Sequence, residues 1–359
     1  MMKTVLGRSV SFPFFRIAAL VLAVCLLPVM SLAEDADSAD SDWVDFMLIC
    51  NEGMNNDKGN AGNTMMLVAL NQRTGRINLL TFTWDTFIDY EGYDEPQRLD
   101  MPYRNNGATE LVNVFNANFG TNIRHYLSLN YLNLAFLIDA FGGIEVDITR
   151  AERNALNGMV GSKRNQLQDM VSRGLLTQMA LESLAQEYYL DDYGPNTHLN
   201  GLQAVGFGWL QYDSVYNCCE REIEVVGALF HSLGMSIAER AVFYTDGTER
   251  PEVEDSRRVI NLDSMDEEDQ VFLSQVLSPI FAMSYHNLTD EEISAITWSL
   301  ARAGYLAARQ GVRVFDRLGK LVLPLEAKNA YEIVAGAKGH LVDKEANAAA
   351  IQAFLHGEE

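Results

Sequence analysis

The chain has 359 residues, 48% hydrophobic and 21% charged, which is enough for one large domain or two small ones and argues against wholesale disorder. Its formal net charge is -22, which argues against nucleic acid as a partner, because a phosphate backbone is held by a basic face. The same acidity reads as a solvated, soluble surface.

Residues 1–33 read as an export signal. Lys3, Arg8 and Arg16 form a basic stretch, Ile17 to Met30 is apolar apart from Pro28, and Ser31-Leu32-Ala33 is a small-x-small cleavage site before Glu34. The alternative is an uncleaved N-terminal anchor, but the apolar run of about 14 residues is short for a membrane span. Cleavage would remove three positive charges and no negative ones. Cys25 follows Val24, where a lipidation site calls for a small residue. Residues 34–42, rich in Asp, Ala and Ser, read as a flexible acidic linker.

Trp43 to Cys50, Met65 to Asn71 and Arg76 to Thr83 are apolar runs of strand length, and their near-continuity predicts strands buried on both faces. Asn71 to Gly75 reads as a tight turn between the last two. Thr109 to Asn118 carries Leu111, Val112 and Phe115 at helical spacing, with Gly120 as the C-cap. His125 to Leu129 reads as a strand, Leu132 to Phe141 as a helix ending at Gly142-Gly143, and Ile144 to Ile148 as a half-exposed strand. Ala151 to Leu190 is amphipathic and helix-rich, with Gly158, Gly161 and Gly174 expected to break it.

Helices are expected from Leu199 to about Trp209 and from Glu220 to Leu233, then a charged connection over Glu239 to Glu254. Further helices are expected over Asp263 to Met283 and Thr289 to Arg309, the second opening on a capping box in which Glu292 reaches back to the N-cap amide. Arg313 to Leu323 reads as two short strands around Leu318-Gly319, and Lys344 to His356 as a helix with Ile351, Phe354 and Leu355 inward. Strands alternating with helices predict an α/β class, here a three-layer α/β/α sandwich with a mixed central sheet.

Cys50, Cys218 and Cys219 do not make a disulfide framework or a metal spacing, and Cys50 reads as a buried thiol. The six histidines are scattered, with His125 and His198 read as structural. The sequence holds no G-x-S-x-G, zinc-ligand cluster or P-loop.

Several segments in order resemble the LytR-CpsA-Psr family. Asn63 to Asn71 resembles its Ser-Asp-Thr strand, and Leu79 to Thr86 the strand that ends in Ser-x-Pro-Arg-Asp-Thr. Arg98-Leu99-Asp100 with Tyr103 resembles a Lys-Ile-Asn segment, Leu137 to Asp147 the Gly-Gly-Val segment, and His198 to Ala204 the Leu-Asn-Gly-x-Gln-Ala helix start. The resemblance covers residues 43–231 well, leaves a helical extension over 232–311, and returns weakly in a strand–helix end over 312–356, so that 43–356 forms the family-like domain.

The resemblance implies an extracytoplasmic protein, secreted or membrane-anchored, that handles polyprenyl-linked glycopolymer. The family transfers a phosphoryl-sugar to peptidoglycan, with arginine forks on the pyrophosphate, a carboxylate-held Mg2+ and an apolar tunnel for the lipid tail. The implied partners are a polyprenyl-linked glycan or its lipid carrier, peptidoglycan, and the membrane surface if the N-terminal segment is uncleaved. The implied metal positions are Asn63, which has lost its charge, and Asp85.

The implied arginine positions read Trp84, Trp209, Gln211 and Cys218, while Arg221 of the neighbouring pair is kept and its following glutamine is Glu222. A charge-assisted hydrogen bond contributes about 1.5–3 kcal/mol, so losing four removes on the order of 6 kcal/mol or more, roughly 10⁴-fold in rate. The expectation is therefore a binder with weak or no catalysis. Asp85 and Arg221 are the candidate catalytic residues, and Trp84, Trp209, Gln211, Arg98 and Arg104 the candidate ligand contacts. Two alternatives stand beside it: an active phosphotransferase using a rearranged site, with Lys58, Arg98, Arg104 or Arg124 supplying charge, and a non-catalytic protein-interaction module. The first reading expects an open apolar tunnel with Trp84 and Trp209 at its mouth. The second expects basic side chains converging near Asp85, and the third a tunnel collapsed by Phe82, Phe207 and Met66.

Overall fold

The first three apolar runs become three paired strands. In the computed structural model, which describes residues 42–53, 62–174, 177, 178, 181, 189–253, 255–325, 329–334 and 336–357, these are β1 (Trp43–Asn51), β2 (Gly62–Asn71) and β3 (Ile77–Phe82). β2 pairs antiparallel with both neighbours. The expected turn closes β2 onto β3: the Gly75 amide donates to Asn71 O over 2.8 Å, and Gly75 sits at φ +64 with a Cβ position only 2.9 Å from the Ala303 backbone. Both the left-handed backbone and that close approach require glycine.

The chain continues through β4 (Thr86–Ile88), β5 (Gln97–Arg98), α1 (Met101–Asn106), α2 (Ala108–Phe119), β6 (His125–Asn130), α3 (Tyr131–Ala140), β7 (Ile144–Ile148) and α4 (Arg150–Ser172). Then come β8 (Gly194–Leu199), α5 (Gly201–Gly208), α6 (Val215–Ala238), β9 (Ala241–Tyr244), β10 (Arg258–Asn261), α7 (Glu267–Met283), β11 (Tyr285–His286) and α8 (Asp290–Gln310). A 3-10 turn at Val314–Arg317, β12 (Gly319–Leu323), β13 (Asn329–Val334), β14 (Ala337–Val342) and α9 (Lys344–Leu355) complete it.

The central sheet has the order β11-β6-β1-β2-β3-β12 and is mixed: β6 and β12 pair parallel with their neighbours β1 and β3. Alternation along its strands feeds two cores. Phe46, Met66, Val68 and Leu79 pack toward α3, α5, α6 and α8, while Met47, Met65, Leu67 and Leu80 pack toward α1, α2 and α9. This is the three-layer α/β/α arrangement with a mixed sheet expected from the sequence, and both faces are covered as the unbroken apolar strands require. Residues 42–359 form one compact unit.

Some local expectations are corrected. Gly158 lies inside α4, which runs on to Ser172; Thr149 and Glu152 cap its start, and the helical hydrogen-bond ladder needs no side chain at a glycine. Gly174 does follow its end, at φ +71. The first of the two short strands expected around Leu318-Gly319 is the 3-10 turn, and only the second, β12, is a strand. β8, β9 and the β13–β14 hairpin were not foreseen. The export signal, the linker up to residue 41, Lys58, Glu326 and much of 175–188 lie outside the described residues. Among the described residues no helix is long and apolar enough to cross a membrane.

Candidate functional site

β1, β3, β6 and β12 point the same way, so their carboxyl ends meet at one edge of the sheet, where β2 begins. Ligands of open α/β sheets bind at such edges. Glu52, Asn63, Thr64, Trp84 and Asp85 all fall there.

Asp85 follows β3 and is 1% exposed. Its Oδ1 lies 3.0 Å from Nδ1 of His340 on β14, and its backbone carbonyl accepts from the His340 amide at 2.9 Å. Its Oδ2 is buried with no hydrogen-bond partner. The His340 ring meets Tyr216 edge-on at 5.5 Å, and Tyr216 donates its hydroxyl to Pro324 O at 2.9 Å. Beside this group the Arg98 guanidinium lies 4.6 Å over the Trp84 ring and donates to Lys338 O at 3.1 Å. A cation over a tryptophan face is a favourable pairing, so Arg98 is held flat on Trp84. Arg104 is half exposed and lies 3.7 Å from Asp100, one turn back on its own helix.

A second group sits under α6. Trp209, which caps the end of α5, donates its indole N–H to Thr64 Oγ1 at 3.1 Å. Thr64 in turn donates to Glu222 Oε1 at 3.0 Å, and Thr81 Oγ1 stands 3.2 Å from Glu222 Oε2. Glu222 is 5% exposed, and burial pushes its carboxyl up to about 8 against the hydrogen bonds that favour the anion. Burial thus favours the protonated form, and the Thr81 hydroxyl, which donates to Glu222, also lies 3.5 Å from Met65 O. Burial likewise lifts the neighbouring thiols, Cys218 to about 12 and Cys219 well above its usual range, so neither is a nucleophile.

Thr64, Trp209 and Glu222 are the polar part of an otherwise apolar cavity of about 70 Å³ between the sheet and α3, α5, α6, α7 and α8, walled by residues such as Phe46, Leu48, Leu129, Val226 and Phe281. Trp209 also lines a surface cleft with Glu52, Asn63, Leu210, Gln211 and Tyr212. The indole is therefore a wall shared by the cavity and the cleft. Phe207 and Met66 are fully buried but do not line the cavity, and Phe82 packs edge-on against Phe115 in the other core.

Arg221 lies behind the cleft wall, its guanidinium 5.3 Å over the Tyr212 ring. It makes a two-pronged pair with Asp213 at 2.8 and 2.9 Å, donates to Leu210 O, and reaches Glu152 at 3.4 Å. The guanidinium holds the Asp213 carboxyl down at about 2.

The LytR_cpsA_psr family model matches residues 37–230, more than half of the chain. The chain belongs to the LytR-CpsA-Psr family. Among curated relatives, the polyisoprenyl-teichoic acid–peptidoglycan teichoic acid transferase TagU of Enterococcus faecalis is 30% identical over 84 residues. That match covers 23% of this chain and spans only 28% of TagU. Among solved structures, Bacillus subtilis TagV aligns with a TM-score of 0.55 at 12% identity, covering 88% of this chain and 96% of TagV. TagT bound to LIIa-WTA aligns at 0.55 and 10% identity, covering 89% and 92%. At these identities the structures show a shared fold.

Within this LytR-CpsA-Psr domain the expected site residues divide into two places. Asn63, Trp209 and Gln211 come together on the cleft, Asp85, Trp84 and Arg98 gather against β14, and Arg221 and Arg104 are bound to acids of their own. Among the described residues no three His, Cys, Asp or Glu side chains come close enough to hold a metal ion. Asn63 brings no charge and one Asp85 oxygen is taken by His340, so these residues do not fit a carboxylate-held magnesium. Sequence reasoning passed over Glu222 and His340. Glu222 had a legible signal, since it interrupts the apolar stripe Cys218, Val225, Val226 and Leu229 of α6 at helical spacing. His340 had none, because the strand that carries it was not foreseen.

Proposed function

We propose that this LytR-CpsA-Psr protein serves bacterial cell-envelope glycopolymer assembly outside the cytoplasm, by holding a polyprenyl-linked glycan or its lipid carrier with weak or no catalysis. In this reading the apolar cavity, about 70 Å³ as it stands, widens between the sheet and α6 to take the lipid chain, and the sugars lie in the cleft. The observation that supports this reading is Trp209, the wall shared by the cavity and the cleft, while the Arg221 guanidinium behind that cleft is committed to Asp213. Phosphoryl transfer is carried almost wholly by positioning and by charge on the phosphates, and a spent arginine supplies neither. The relatives' names, a teichoic acid transferase and a structure bound to LIIa-WTA, support glycopolymer and peptidoglycan as the partner classes. An uncleaved N-terminal segment would add the membrane surface.

The runner-up, a phosphotransferase with a rearranged site, is favoured by the unpartnered Asp85 Oδ2 beside His340, with Arg98 nearby. Native mass spectrometry with polyprenyl phosphate, with and without magnesium, separates the two. The expected result is binding that changes by no more than about twofold with magnesium, a difference under 0.5 kcal/mol, and that survives Asp85→Ala. Binding that needs magnesium and is lost in Asp85→Ala would establish the rearranged enzyme. No binding at all would leave the protein-interaction reading.

A further inference from the structure

Three consecutive residues of β14 are fastened beside Asp85. The Lys338 carbonyl accepts from Arg98 at 3.1 Å. Gly339 lies so close that a Cβ there would sit 2.1 Å from Asp85 O and 2.5 Å from the Phe87 ring, so the strand reaches Asp85 only with glycine at that position. His340 donates its amide to Asp85 O at 2.9 Å and sets its ring Nδ1 3.0 Å from Asp85 Oδ1. The parallel pairing of His340 with Thr86 and of Leu341 with Phe87 fixes that register. Against the imidazole stands the Tyr216 ring, edge-on at 5.5 Å, its own hydroxyl tied to Pro324 O. A carboxylate oxygen only accepts, so Nδ1 carries the hydrogen of its bond to Asp85.

A buried carboxylate needs a donor or a cation to compensate it. A divalent ion such as magnesium would bring a shell of about six oxygens, several of them waters, around one or two carboxylates. At Asp85, which is 1% exposed, Oδ1 already meets an N–H and Oδ2 is buried. Other acids are engaged elsewhere: Asp100 is faced by Arg104 and Arg98, and Glu222 is bonded to Thr64 and Thr81. We propose that His340 takes the cation's place on Asp85. Its N–H supplies the compensation that a metal would bring, and it stands on the oxygen that a metal would use. The residue at position 340 thus sets this site to work without a divalent ion, so that an anionic ligand at this edge is held with no bridging metal. This is independent of the lipid reading of the cavity.

The test is Mn2+ binding to the full-length protein at pH 7, read from the electron paramagnetic resonance of the free ion. Mn2+ takes the same oxygen-rich, octahedral shell as magnesium. Wild type is expected to show no saturable site up to about 1 mM. His340→Ala, which frees Oδ1, and His340→Asp, which sets a second carboxylate against the first, are each expected to bind Mn2+ at least about tenfold tighter than wild type. Adding Asp85→Asn to either is expected to remove the gain. His340→Gln keeps an N–H for Asp85 and is expected to behave as wild type. A variant that folds only when Mn2+ is present, by circular dichroism, gives the expected result in another form. A saturable site on wild type as tight as on the variants overturns the proposal. So does a His340→Asp protein that gains no Mn2+ affinity, whether folded or not. Neither outcome touches the lipid reading, since no lipid enters the measurement.

Discussion

Glu222 keeps its proton in the folded protein over a range where the unfolded chain has released it. Its folded value of about 8 stands above the ordinary 4.5, so between those values the native state binds more protons and stability falls as pH rises. The contribution is intact below about pH 4.5, declines through pH 8, and is flat beyond. At about 1.4 kcal/mol per unit the full decline is on the order of 5 kcal/mol. Glu222→Gln keeps the Thr64 and Thr81 partners without the titration. Urea unfolding from pH 5 to 9 should therefore show a falling wild-type stability and a flatter variant that is the more stable of the two at pH 9.

Arg221 obeys the opposite logic. It is buried and its charge is met by Asp213, so Asp213→Asn leaves a buried cation short of its partner and should cost about 2–4 kcal/mol. The Asp213 carboxyl is held down near 2, so its contribution is present above its unfolded value near 3.8 and is lost as pH falls through 2. Unfolding below pH 4 measures that loss.

Among the elements, those with local signals were legible. α8 begins where Thr289 and Glu292 predict it, with both halves of the capping box formed. Thr289→Ala should cost about 1 kcal/mol in thermal unfolding. α2 ends at Gly120, and the three meander strands and α9 fall within a few residues of their patterns. The elements that went unread lack such signals. β8 is mostly polar on its exposed positions, and β14 exists through its pairing with β13 and with β4, far away in sequence. The same gap hid half of the site: Asn63, Trp209 and Gln211 were named and do meet, but Asp85 meets His340 only because β14 arrives beside it. Close packing between α6 and α8 rests on two glycines whose backbones nearly touch, a Cβ on Gly304 lying 3.2 Å from Gly234 Cα. Gly304→Leu must push the two helices apart and should destabilise by about 1–3 kcal/mol.

At the scale of the molecule, a mixed sheet covered on both faces leaves an apolar cavity between the sheet and α6, toward the edge where its parallel strands end. The net charge of -22 sets the whole surface against a polyanion. A lipid chain should therefore be excluded by filling the cavity from α6. Val226→Trp places an indole where the wall is now a small side chain, and should abolish polyprenyl binding while leaving the fold cooperative by circular dichroism.

The central claim is that the chain of the lipid lies between the sheet and α6. Photo-cross-linking with a polyprenyl probe bearing a diazirine near its far end, mapped by peptide mass spectrometry, tests it directly. The account predicts adducts on cavity residues such as Leu129, Val226 and Phe281, absent in Val226→Trp. Adducts confined to exposed residues, and unchanged in that variant, would contradict it.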